Sequence, residues 1–125
     1  MNAHTVALID DDAAVRKALA RLLRAAGFTV TPFASAEEFL ALPLGSTPDC
    51  LVLDVNLTGM SGVELSQAVH EAGRAISIVF ITAGDDARTR EALRSAGVAT
   101  WLRKPLDRST LIEAVRHAIE SKASD

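Results

Sequence analysis

Val6-Ala7-Leu8-Ile9-Asp10-Asp11-Asp12 is a short apolar run that ends in three consecutive acids. The arrangement returns at Leu51-Val52-Leu53-Asp54, and late in the chain Thr100-Trp101-Leu102-Arg103 leads into Lys104-Pro105. Runs of this kind read as buried strands of a parallel sheet. In an open parallel sheet the strand C-termini face the crevice where ligands bind. The spacing therefore predicts several carboxylates and one ammonium at one edge of one sheet. Two carboxylates about 4 Å apart repel by about 4 kcal/mol at an effective dielectric near 20. A cluster of three therefore predicts a cation.

Helical patterns fill the intervals between these runs. Val15, Ala18, Leu19, Leu22, Leu23 and Ala26 follow the i, i+3, i+4, i+7 spacing of an amphipathic helix, and Gly27 marks its end. Phe28–Thr31 reads as a short second strand. Ser35 with Glu38 forms a capping-box pattern that starts a second helix through about Leu42, before the breakers Pro43, Gly45 and Pro48. Cys50–Leu53 is the third strand. Ser61 with Glu64 repeats the capping box, and that helix ends at Gly73. Ile76–Thr82 is rich in β-branched residues and reads as a fourth strand. Asp85 or Asp86 is placed to cap a fourth helix ending at Gly97, and Val98–Leu102 reads as a fifth strand. Asp107 opens a last helix in which Leu111, Ile112, Val115, Ala118 and Ile119 share a face.

This alternation predicts an α/β fold, a doubly wound (βα)5 arrangement of the flavodoxin-like type, with helices on both faces and right-handed crossovers. The strand order 2-1-3-4-5 is expected from the frequency of that fold. It puts the topological switch between the strands that end in Asp10-Asp11 and in Asp54.

The 125 residues match the size of one domain, 1–125, with an ordered core over about 4–120. A hydrophobic content of 49% suffices for one core, and aromatics at 4% leave Leu, Val, Ile and Ala to build it. A net charge of −3 argues against direct nucleic-acid binding by this chain. The lone Cys50 lies in an apolar segment and reads as a small buried hydrophobe. No disulfide can form within the chain, which fits a reducing compartment. No apolar stretch approaches the roughly 18–20 residues of a membrane span, and no signal-peptide pattern opens the chain. A soluble cytoplasmic domain with no membrane partner is the expectation.

Five strand-end positions form the candidate site: Asp10, Asp11, Asp54, Thr82 and Lys104. With Val55-Asn56-Leu57 after Asp54, then Gly59-Met60-Ser61-Gly62, Thr82-Ala83 and Lys104-Pro105, the chain resembles a response-regulator receiver domain of two-component signalling. The resemblance runs from His4 to about Glu120. It implies that Asp54 accepts a phosphoryl group from the phosphohistidine of a sensor histidine kinase or phosphotransfer protein. It implies Mg2+ held directly by Asp11 and Asp54, by the backbone carbonyl of Asn56, and by Asp10 through a water. Lys104 would pair with a phosphoryl oxygen and hold the site together without metal. Thr82 would donate its hydroxyl to the phosphoryl group, and Pro105 would follow a cis peptide bond. These roles make the protein a switch with self-phosphorylation and self-dephosphorylation chemistry, not a turnover enzyme. The switched surface would be the fourth helix, fifth strand and fifth helix, usable for a homodimer or an output partner. The chemistry is sound, because a carboxylate is a competent nucleophile once its charge is offset, and magnesium prefers oxygen ligands.

Several positions depart from that pattern or carry a plainer reading. Trp101 stands where receivers usually carry Tyr or Phe, and would report the switch. Thr58 stands where many carry proline, whose absence would loosen the loop before Gly59. Ala83 and Gly84 are small and predict a short-lived phosphorylated state. Asp12 reads as a helix cap, not as a fourth acid of the cluster. His4, His70 and His117 lack metal-ligand spacing, and Arg88, Arg90 and Arg94 read as a solvated face.

Two rival functions deserve weight. A receiver-like module that acts without phosphorylation would lack the acids or the lysine, all present here. A haloacid-dehalogenase-type phosphatase is suggested by Asp54-Val55-Asn56-Leu57-Thr58, but Asn56 cannot act as its second acid. The stretch Val15 to Leu40 resembles receivers that precede a helix-turn-helix output domain. The ending at Asp125 is compatible with a stand-alone regulator and with a receiver belonging to a longer protein.

Overall fold

A computed structural model of the chain describes residues 4–42, 47–73, 76–83, 87–96, 98 and 101–124. In chain order its elements are β1 (Thr5–Ile9), α1 (Ala13–Ala25), β2 (Thr29–Phe33), α2 (Ala36–Leu40) and β3 (Cys50–Asp54). They continue with α3 (Gly62–Glu71), β4 (Ser77–Thr82), α4 (Ala87–Ser95), β5 (Leu102–Arg103) and α5 (Arg108–Ser124). The strands pair in parallel in the order β2-β1-β3-β4-β5, as expected.

Side-chain alternation along the central strands divides the core in two. Val6, Leu8, Val52, Val79 and Ile81 point to one face and pack on Leu19 and Leu23 of α1 and Leu111 and Val115 of α5. Ala7, Ile9, Leu51, Leu53 and Phe80 point to the other and meet Phe39 of α2, Leu65 and Val69 of α3 and Leu93 of α4. Both faces of β1 and β3 are covered, so these strands are continuously apolar, the signature of a buried parallel sheet.

Several expected boundaries shift. The second strand runs Thr29–Phe33, beyond Phe28–Thr31, because all five of its residues pair with Thr5–Ile9. Pro32 is tolerated there because β2 is an edge strand and its missing N–H faces no ladder partner. The second helix stops at Leu40 instead of about Leu42. Among the described residues the fifth strand is Leu102–Arg103 instead of Val98–Leu102, with Ala99 and Thr100 outside them. Leu102 and Arg103 pair with Ile81 and Thr82 at the end of β4. An apolar run records burial, whereas a strand is defined by its ladder. Pro43, Gly45, Gly84, Asp85, Asp86, Gly97 and Thr100 lie outside the described residues.

Helix starts follow the sequence closely. Ser61 and Glu64 form a complete capping box on α3, and Ser35 Oγ accepts the Glu38 amide of α2. Asp12 is the N-cap of α1, where one carboxylate oxygen accepts the amides of Ala14 and Val15 at 3.0 and 3.2 Å. Asp12→Ala should lower the unfolding free energy by about 1 kcal/mol, while Asp12→Asn retains most of it. Urea unfolding of the two variants measures the difference.

Candidate functional site

Four strand ends meet at one edge of the sheet. Asp10 follows the last residue of β1, Asp54 closes β3, Thr82 closes β4 and Lys104 follows β5. The ladders hold them in step: the Val55 amide donates to the Ile81 carbonyl at 2.9 Å, and the Lys104 amide donates to the Thr82 carbonyl at 2.8 Å. The start of α3 presses directly on Asp54. A Cβ on Gly62 would sit 2.5 Å from the Asp54 carbonyl oxygen, so only glycine fits there.

Within this frame the Lys104 ammonium bridges two carboxylates. Nζ donates to Asp10 Oδ2 at 2.8 Å and to Asp54 Oδ2 at 3.1 Å. Asp10 is fully buried and Asp54 is 4% exposed. The remaining oxygens of both acids accept backbone amides, Asp12 to Asp10 Oδ1 at 3.0 Å and Asn56 to Asp54 Oδ1 at 3.0 Å. Burial pushes the Asp54 carboxyl above its ordinary range, and the Asp10 charge adds to this, against the Asn56 amide and Lys104. Burial alone would lower the Lys104 ammonium, but its contacts with Asp10 and Asp54 outweigh that and raise it. One ammonium therefore offsets two buried acids only in part. The Lys104-Pro105 peptide bond is cis.

Asp11 is exposed, yet one of its carboxylate oxygens lies with one each from Asp10 and Asp54 in a group within 4.8 Å. Three hard oxygen donors around one point suit magnesium, which takes one or two carboxylates and completes its shell with water. The residues present therefore fit the ion. The buried Thr82 accepts a hydrogen bond at Oγ1 from Asn56 Nδ2 at 3.2 Å. Trp101 is half-buried and packs against the α2–α3–α4 side of the core.

Other side chains at the site were not singled out by sequence reasoning. Arg16 on α1 donates from Nη1 to the Asp10 carbonyl at 2.7 Å, a contact set by carbonyl direction and invisible in residue spacing. Glu37 on α2 accepts the Met60 amide at 3.1 Å. Thr58 corrects an expectation. Instead of loosening the loop, its amide and hydroxyl both donate to Asp11 Oδ2, at 3.1 and 2.8 Å. Proline offers neither donor, so the exchange that looked like a loss adds two bonds.

A raised Asp54 value has a definite sign. The fold prefers the protonated acid, so Asp54 contributes stability below its ordinary value of 3.8 and loses it as pH rises through the folded value. At neutral pH its charge is a cost. Asp54→Asn should therefore raise the unfolding free energy at pH 7, with a gain that shrinks as pH falls toward the carboxylate range. Metal-free urea unfolding across that interval checks it.

The family model for the response regulator receiver domain matches residues 6–116. The chain is 37% identical over 118 residues to the transcriptional regulatory protein TdiR of Thauera aromatica, covering 94% of this chain and 52% of that protein. It is 36% identical over 118 residues to the transcriptional regulatory protein FixJ of Azorhizobium caulinodans, covering 94% and 56%. The chain thus spans about half the length of the curated relatives it matches. The crystal structure of a response regulator receiver protein from Burkholderia phymatum superposes with a TM-score of 0.80 at 38% identity, covering 94% of this chain and 95% of that one. With its sheet order, its strand-end acids and lysine, and these relatives, the chain belongs to the response-regulator receiver domain family of two-component systems.

Proposed function

We propose that this domain is a magnesium-dependent phosphoacceptor switch of the cytoplasm, modified at Asp54 by a sensor histidine kinase or phosphotransfer protein. The observation that carries the reading is the single ammonium shared by two buried carboxylates, with a third carboxylate oxygen beside them. In the transfer, an Asp54 carboxylate oxygen forms a bond to phosphorus as the bond from phosphorus to the donor histidine nitrogen breaks. That nitrogen keeps the electron pair, and the donor ring, already protonated on its other nitrogen, is restored as a neutral imidazole. Asp11, Asp54 and the Asn56 carbonyl would hold the ion, with Asp10 acting through a water. When bound, the ion supplies positive charge that offsets the anionic nucleophile and phosphoryl oxygens.

The chain's own groups do the rest. Lys104 is already hydrogen-bonded to the nucleophile and would move with little reach to a phosphoryl oxygen. The Thr82 hydroxyl would turn from Asn56 toward the same group. Ala83, exposed beside Thr82, leaves the site open to water, which fits self-dephosphorylation and a short-lived phosphorylated state instead of enzymatic turnover. A phosphoryl group brings close to two negative charges, enough to bias a two-state surface. We assign that surface to α4, β5 and α5, with Trp101 as its reporter and an output partner or second copy as its reader.

Incubation with magnesium and a small-molecule phosphodonor, followed by intact mass measurement, tests this. Wild type should gain one phosphoryl group, Asp54→Ala none, and Trp101 fluorescence should change only in wild type. An unmodified wild type would sink the reading, and sustained hydrolysis of a phosphate ester would favour the phosphatase instead.

A further inference from the structure

The three acids at the sheet edge are not equally fixed. Asp10 and Asp54 are buried, and each is held by Lys104 on one oxygen and a backbone amide on the other. Asp11 is exposed and lies outside the reach of Lys104 among the described residues. An exposed aspartate ordinarily samples several rotamers, and ordering it on a metal opposes binding by that lost freedom. Its position within ligand distance of Asp10 and Asp54 therefore needs a cause.

Thr58 supplies one. Its amide and hydroxyl converge on the same atom, Asp11 Oδ2, at 3.1 and 2.8 Å. Two donors from one residue fix both the position of that oxygen and the rotation of the carboxylate plane. Among the described residues, Asp11 Oδ1 takes no hydrogen bond and is left for a ligand. Thr58 is itself anchored, since Met60 two residues on donates its amide to Glu37 Oε2 at 3.1 Å. A Cβ on Gly59 between them would lie 2.9 Å from that same oxygen, so the loop is drawn close against α2.

We infer that Thr58 is a positioning residue for metal binding, which holds Oδ2 of Asp11 so that Oδ1 is presented to magnesium beside Asp10 and Asp54. The inference rests on the proposed magnesium site. It assigns a function to the residue that replaces the usual proline: Thr58 ties the metal ligand of β1 to the loop that follows the phosphoacceptor. Metal-ligating groups are generally oriented by such outer partners, whose loss weakens binding by about 10–100-fold. Thr58 is exposed, so water replaces part of the lost bond, and a smaller effect of roughly three- to tenfold is expected.

Calorimetric titration of the unphosphorylated chain with magnesium chloride tests this without reference to phosphoryl transfer. Wild type, Thr58→Val, Thr58→Ser and Asp11→Asn are compared, with circular dichroism in chelator to verify each fold. Thr58→Val keeps the shape and the amide but loses the hydroxyl, and should raise Kd by the stated factor. Thr58→Ser restores the hydroxyl and should return Kd to near the wild-type value. A Kd for Thr58→Val equal to or below that of wild type would overturn the inference, because Thr58 would then be idle or would compete with the metal. Wild type that binds no magnesium, or binds it as well as Asp11→Asn, would overturn the metal site itself.

Discussion

One ammonium shared between two buried carboxylates is the constraint around which this domain is organised. Lys104 reaches Asp10 and Asp54 from a chain position 94 residues after the first and 50 after the second. The contact closes only if β1, β3 and β5 end at the same edge, which the parallel order β2-β1-β3-β4-β5 secures. A buried ion pair is weak evidence for stability, since desolvation can exceed the Coulombic gain. Here the imbalance is built in, because two acids answer one base. Burial is the main reason the Asp54 carboxyl is raised, and the neighbouring Asp10 charge adds to it. Three carboxylate oxygens gathered beside one ammonium suit a further cation.

The legible part of the fold was the part dictated by local physics. The strands β1 and β3 are sealed on both faces, so Val6–Ile9 and Cys50–Leu53 are apolar without interruption and stand out. Caps were equally readable, because Ser61 with Glu64 and Asp12 satisfy amides within their own turn. The site residues announced themselves as polar groups at the ends of apolar runs, where a polar residue has no packing reason to be. The fifth strand was misplaced because its two-residue ladder depends on where β4 ends, which composition does not encode. Thr58 was misread for a related reason. Counting from the phosphoacceptor shows that proline is missing, but not that the vacated position lies against Asp11, 47 residues away.

These contacts make the loop after β3 a junction. It carries Asn56, whose amide holds Asp54 and whose side chain holds Thr82, and Thr58, which holds Asp11. Any event that recharges Asp54 therefore acts on a loop bonded to β1 and β4 together.

Lys104 and a bound metal ion would offset the same charge excess at the sheet edge. Urea unfolding of Lys104→Met in chelator and in magnesium measures this most directly. In chelator the variant should lose about 3 kcal/mol, the low end for breaking a buried pair, since the Lys104 side chain is 17% exposed. Magnesium should restore a substantial part of that loss. Equal stability of wild type and Lys104→Met in chelator, or a loss that magnesium leaves untouched, would mean that Lys104 and the metal do not share this role.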